Sequence, residues 1–128
     1  MALSQSFTRP VIGGSLLVLL AVAGSGDSVT AKSLKGQLGR KNTPLIVDVR
    51  SSSEYLGGHI PGAIHISFWA VLWSHAQISA QRQTVIYCEH GPRAVLARAL
   101  LTLVGKGDVA LLAGHMAGWR RAGLPLQR

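Results

Sequence analysis

Two short β-branched runs set what this chain can fold into. Leu45-Ile46-Val47-Asp48-Val49 and Thr84-Val85-Ile86-Tyr87 are apolar almost throughout, without the alternation of a sheet that keeps one face in water. Strands of that kind are buried on both faces, which requires parallel strands whose connections cross over as helices and cover the two sides. The segments between them fit. Ser51-x-x-Glu54 has the spacing of a capping box and predicts a helix that stops at Gly57-Gly58. His59-Ile60-Pro61-Gly62 reads as a turn, Ala63 to Ile66 as a short strand, and Phe68, Val71, Leu72 and His75 recur at helical spacing in a segment ending near Gln77. Trp69 and Trp73 extend the apolar surface of that helix.

The second half repeats the pattern. Thr84–Tyr87 passes through Cys88-Glu89-His90-Gly91-Pro92 into an apolar helix from Arg93 to Val104, with Gly105 as its C-terminal cap. Val109 to Leu112 is a further strand, Ala113 to Gly118 a glycine-containing loop, and Trp119 belongs to a last short helix. Strands alternating with helices at this spacing predict an α/β fold, a small parallel sheet with helices on both faces.

Hydrophobic residues make up 48% of the 128 and charged residues 14%, which excludes the low-hydrophobicity, high-charge profile of a disordered chain. Thirteen Lys and Arg against five Asp and Glu give a net charge of +8. The basic residues are scattered, their tightest groups being Arg40-Lys41 and Arg120-Arg121, and the aromatics are not interleaved with them as stacking platforms. Nucleic acid is therefore not an expected partner.

The N-terminus reads as an address. Arg9 precedes an apolar stretch from Val11 to Ala23, too short for the ~20 residues of a bilayer span but suited to a signal-peptide core. Ala21-Val22-Ala23 places small residues where a signal peptidase reads them. The expected organisation is a signal peptide over 1–23, a linker over 24–33 that leads into a short helix, and one domain over 34–128. In a bacterial host the domain would be exported to the periplasm. The alternative is an uncleaved membrane anchor facing that compartment, since Gly24, Ser25 and Gly26 can extend the span.

Cys88 is the single cysteine, so an intramolecular disulfide is excluded and thiol chemistry or packing remains. It stands where a central strand ends, at the carboxyl edge of the predicted sheet, the usual ligand side of such folds. Loop amides and a following helix N-terminus lower the pKa of a thiol placed there. Arg93 at that same helix start opposes the macrodipole unless an anion lies between the two, and Gly91 allows the backbone twist that makes an anion-binding nest. The five histidines have no i, i+4 pair and one cysteine does not complete a tetrahedral set with them, so no metal site is expected and no cofactor is implied.

Asp48-Val49-Arg50, Glu54-Tyr55, Gly58-His59-Ile60-Pro61-Gly62-Ala63, Tyr87-Cys88-x-x-Gly91-x-Arg93 and Gly118-Trp119-x-x-Ala122-Gly123-Leu124-Pro125 together resemble a single-domain rhodanese, a sulfurtransferase. The resemblance covers about residues 34 to 128. It implies that Cys88 is the nucleophile, taking a sulfane sulfur from thiosulfate or a persulfide, carrying it as a persulfide and passing it to cyanide or a thiol. Arg93, Gly91, Glu89, His90 and Pro92 would line the substrate loop, with Asp48, Arg50 and His59 as structural support. Other readings are a non-catalytic rhodanese-like binding module and a Cys-dependent phosphatase. Rhodanese-like phosphatases have a longer loop than the four residues, Glu89 to Pro92, that separate Cys88 from Arg93 here.

Three residues depart from the pattern. Pro92 removes an N–H from the loop, and Glu89 brings a carboxylate beside a site meant for anions. His115 stands where the family often has a second glycine, and the expectation for it is a surface histidine.

Overall fold

The computed structural model describes residues 27–79 and 81–128; the expected signal peptide lies outside them. Five strands form one sheet in the order β1-β5-β4-β2-β3, every neighbouring pair parallel: β1 Ser28–Val29, β2 Leu45–Asp48, β3 Ile64–His65, β4 Thr84–Tyr87 and β5 Val109–Leu112. β4 lies at the centre, with Leu45 to Asp48 of β2 in register with Thr84 to Tyr87 on one side and β5 on the other.

The two apolar runs behave as their composition requires. Successive residues point to opposite faces, and the core divides accordingly. Val47, Ile86 and Cys88 join Val71, Ala94, Ala97 and Leu101 on one face, while Ile46, Val85 and Tyr87 join Leu34, Met116 and Trp119 on the other. The first face is covered by α3 (Val71–Ser74) and α4 (Pro92–Leu103), the second by α1 (Ala31–Gln37) and α5 (His115–Arg121). The short helix α2, Ser52–Leu56, carries the capping box in full: the Ser51 side chain accepts from Glu54 N–H and Glu54 accepts from Ser51 N–H. α4 closes on Gly105, at φ +87, with Lys106 N–H to Leu101 O at 2.9 Å and Gly105 N–H to Thr102 O at 3.1 Å. This is the double bond of a Schellman cap. At the end of the domain Trp119 Nε1 donates to Pro125 O at 2.8 Å, which folds the tail under the buried indole.

Three expectations are corrected. The segment read as a linker holds β1, paired with Leu111 and Leu112, and Thr30, whose side chain caps α1. Only Val29 is apolar in β1, so a two-residue edge strand leaves no hydrophobic pattern to read. The helix expected from Phe68 to Gln77 is three pieces, 3₁₀ turns at Phe68–Ala70 and His75–Gln77 around α3, and no side chain caps any of them. Trp69 and Trp73 remain exposed on it. The loop expected over Ala113 to Gly118 becomes helical already at His115.

Candidate active site

In a parallel sheet all strands end at one edge, so the loops after β2, β4 and β5 meet there. They bring Arg50, Cys88 and His115 together around the start of α4.

Cys88 is buried, and Gly91 N–H donates to its Sγ at 3.0 Å. The tight loop depends on Gly91, whose φ of +132° is open only to glycine, and Gly91 O accepts from Val95 N–H at 2.9 Å to begin α4. Pro92 takes the first helical position, where its missing N–H costs the helix nothing and its fixed φ sets the first turn. Burial pushes the Cys88 thiol up, but hydrogen bonds from the His115 ring and from the amides of Ala94 and Gly91 outweigh it and lower the pKa to about 7. A large share of Cys88 is therefore thiolate at neutral pH.

Arg93 reaches the site, but not as a free cation. Its NH1 donates to Glu54 Oε1 at 2.8 Å and its NH2 to Glu54 Oε2 at 3.1 Å, a bidentate pair between α4 and α2. The anion that reconciles a cation with the N-terminus of α4 is thus supplied by the protein itself. The pair holds the Glu54 carboxyl at about 2, first through the Arg93 hydrogen bond, against burial and with help from Ser51. Cys88 is among the charges that raise the Arg93 pKa, which puts the guanidinium within electrostatic reach of the sulfur.

Glu89 is occupied as well. Arg50 NH1 donates to its Oε2 at 3.3 Å, and Arg120 of α5 takes Oε1. His90 is exposed at the loop tip. Asp48 and Arg50 are both fully buried and locked to each other: Asp48 accepts from Arg50 N–H at 2.9 Å, from Nε at 3.0 Å and from NH2 at 2.7 Å. Arg50 NH2 also donates to Gly58 O at 2.7 Å, so one guanidinium ties β2, the turn after α2 and the Cys88 loop together. His59 lies outside this cluster: its ring stacks on Tyr55 at 3.7 Å and bonds Tyr55 O at 2.9 Å, while its backbone pairs with Gln127.

The residue that sequence reasoning misplaced is His115. It is buried, not a surface histidine, and its Nδ1 accepts from Cys88 N–H at 3.3 Å. The signal lay in the chain: a non-glycine directly after Gly114, where the backbone takes φ +51° at His115. The Glu54–Arg93 pairing was missed for another reason, since no local spacing links residues 39 positions apart.

The geometry is a buried, ionisable thiol in a four-residue loop between a central strand and a helix N-terminus. The family model for the rhodanese-like domain matches residues 30–122. A protein of Allochromatium vinosum named sulfurtransferase is 33% identical over 100 residues, covering 78% of this chain and 94% of its own. The thiosulfate sulfurtransferase GlpE of Pseudomonas paraeruginosa is 33% identical over 81 residues, covering 63% of this chain and 74% of its own. Among solved structures, the Alr3790 protein of Anabaena superposes with a TM-score of 0.71 at 29% identity, over 77% of this chain and 81% of the other.

Proposed function

The chain belongs to the rhodanese-like domain family, and from that premise we propose that it is a sulfurtransferase in which Cys88 carries the sulfur. The observation that supports this most directly is the lowered thiol of Cys88, held at Sγ by Gly91 N–H inside the loop. A thiolate is a strong nucleophile, and the amides around it also suit the anion that a persulfide becomes.

The chemistry balances without a cofactor. The Cys88 thiolate attacks the outer sulfur of thiosulfate; the new S–S bond forms, the old one breaks, and sulfite leaves with the electron pair. With a hydropersulfide donor a thiolate leaves instead. Cys88 then holds one extra sulfur, which cyanide or an acceptor thiol attacks, regenerating the Cys88 thiolate and releasing thiocyanate or a new persulfide. The loop amides hold the sulfur in place during both steps.

Intact mass after incubation with thiosulfate, and separately with a glutathione persulfide, tests the reading. A gain of one sulfur atom that disappears in Cys88→Ser supports it. No gain with either donor overturns it in favour of a binding module, and Cys88-dependent hydrolysis of an aryl phosphate would support a phosphatase. We also propose, from the Val11–Ala23 stretch and Ala21-Val22-Ala23, that the domain is exported; N-terminal sequencing of the secreted fraction should then begin at Gly24.

A further inference from the structure

Among the described residues His115 is the one non-glycine with positive φ, at +51°. A residue kept in that region costs roughly 1 kcal/mol or more and persists where its surroundings enforce it, often at a functional site. The enforcement is visible. Met116 N–H donates to Cys88 O at 3.0 Å and Ala117 N–H to Glu89 O at 3.2 Å, so the first turn of α5 is fastened to the sulfur loop. Its N–H groups go to that loop and the His115 ring is carried in beside them.

The ring has two distinct ends. Nδ1 accepts from Cys88 N–H at 3.3 Å, which leaves the proton of the neutral imidazole on Nε2. Nε2 lies 3.2 Å from where a Cβ on Gly91 would stand, so this end of the ring faces the residue whose N–H bonds Sγ. Besides the Gly91 and Ala94 amides the loop offers few donors: Pro92 has no N–H, and Arg93 is engaged by Glu54 through both of its terminal nitrogens. The other charged groups around this pocket are also paired, Arg50 with Asp48 and Glu89, and Glu89 with Arg120.

We propose that His115 is a donor to the reacting sulfur: oriented through Nδ1 by the Cys88 amide, it turns its Nε2–H toward the sulfur on Cys88 and supplies the hydrogen bond that Pro92 and the engaged Arg93 do not. This deepens the sulfurtransferase reading and rests on it for the loaded state. His115 transfers no proton in the reaction; it stabilises the negative sulfur before uptake, as thiolate, and after it, as persulfide. The lowered pKa of Cys88 agrees, since the His115 ring heads the contacts that lower it.

Two variants separate this from a packing role. His115→Gly is free of strain at this φ and removes both ring contacts. His115→Asn tolerates the left-handed backbone and keeps an oxygen to accept from Cys88 N–H, but is too short to replace the Nε2 donor. The measurement is the pH profile of Cys88 alkylation by iodoacetamide, with thermal unfolding beside it. Both variants are expected to fold, with the alkylation midpoint raised by about one pH unit, a tenfold loss of thiolate below it, and the persulfide formed with glutathione persulfide lost several times faster than in the wild type. An unchanged midpoint in both variants overturns the proposal, as does a wild-type midpoint in His115→Asn alone, which would reduce the ring to a partner for the Cys88 amide. Unfolding of both variants would also overturn it by making the residue structural. Alkylation needs no sulfur donor, so a wild type that fails to load sulfur refutes the sulfurtransferase reading without touching this one.

Discussion

Arg93 and Glu54 meet as a bidentate ion pair, NH1 to Oε1 at 2.8 Å and NH2 to Oε2 at 3.1 Å, bridging the N-terminus of α4 to α2. A dianionic donor approaching Cys88 must therefore compete with a carboxylate for the Arg93 guanidinium. Glu54→Gln keeps the capping box, because glutamine serves the same position, and removes the competing charge. For a pair about one-third exposed and worth about 1 kcal/mol, the KM for thiosulfate should fall roughly fivefold. Arg93→Ala should move it the other way. Thiocyanate formation at varied thiosulfate measures both, and an unchanged KM in Glu54→Gln would show that Arg93 does not meet the donor.

Sulfur uptake should follow the ionisation of Cys88. Its pKa is depressed from 9.0 to about 7, so the thiolate is the minor form below about 7 and the major form above it. The single-turnover rate of loading is expected to rise tenfold per pH unit on the acid side and level off above the midpoint. Linkage has the same sign: the stabilisation that folding gives the thiolate is complete above pH 9.0 and is lost as pH falls through about 7. A loading profile that still rises steeply at pH 9 would contradict the geometry of the loop.

What could be read from the chain, and what could not, divides by the range of the interaction. β4, Cys88 and α4 were legible because a doubly buried strand, a glycine turn and an apolar helix each leave a local pattern in residues 84 to 104. The Ser51–Glu54 capping box is likewise a three-residue rule, and it formed as written. Asp48 and Arg50 sit two positions apart, so their pairing was open to sequence reasoning even though the reach of Arg50 to Gly58 and Glu89 was not. The misreadings of Val29, Arg93 and His115 involve partners far along the chain. Val29 becomes a strand only because β5 offers an edge, Arg93 loses its freedom to Glu54, and His115 turns inward because α5 is fastened to the Cys88 loop.

Gly91 should tolerate no side chain. Its φ of +132° is outside the range of other residues, and an added Cβ would stand 3.2 Å from His115 Nε2. Backbone strain of this kind costs about 1–3 kcal/mol, and relieving it would swing the N–H away from Sγ. Gly91→Ala is therefore expected to lower the midpoint of thermal unfolding by several degrees and to raise the Cys88 alkylation midpoint toward that of a free thiol. A variant with wild-type alkylation would mean that the Gly91 bond to sulfur contributes nothing to the thiolate.

The buried Asp48–Arg50 pair gives the sharpest stability test. Both side chains are fully buried, and although burial pulls the Arg50 pKa down, the Asp48 hydrogen bond and charge lift it above its ordinary value. Asp48→Ala leaves the buried guanidinium with Glu89, at 3.3 Å, as its remaining carboxylate among the described residues, and breaking a buried pair in this way typically costs about 3–5 kcal/mol. Urea unfolding should therefore show a large drop in midpoint. Replacing both residues, as Asp48→Ala with Arg50→Met, removes the buried charge and should recover part of that loss. The double variant should still load sulfur slowly, because Arg50 also holds Glu89 at 3.3 Å and Gly58 O at 2.7 Å and so fixes the loop that follows Cys88. A double variant as unstable as Asp48→Ala would mean that the cost lies in the lost tie to Gly58 and not in the buried charge.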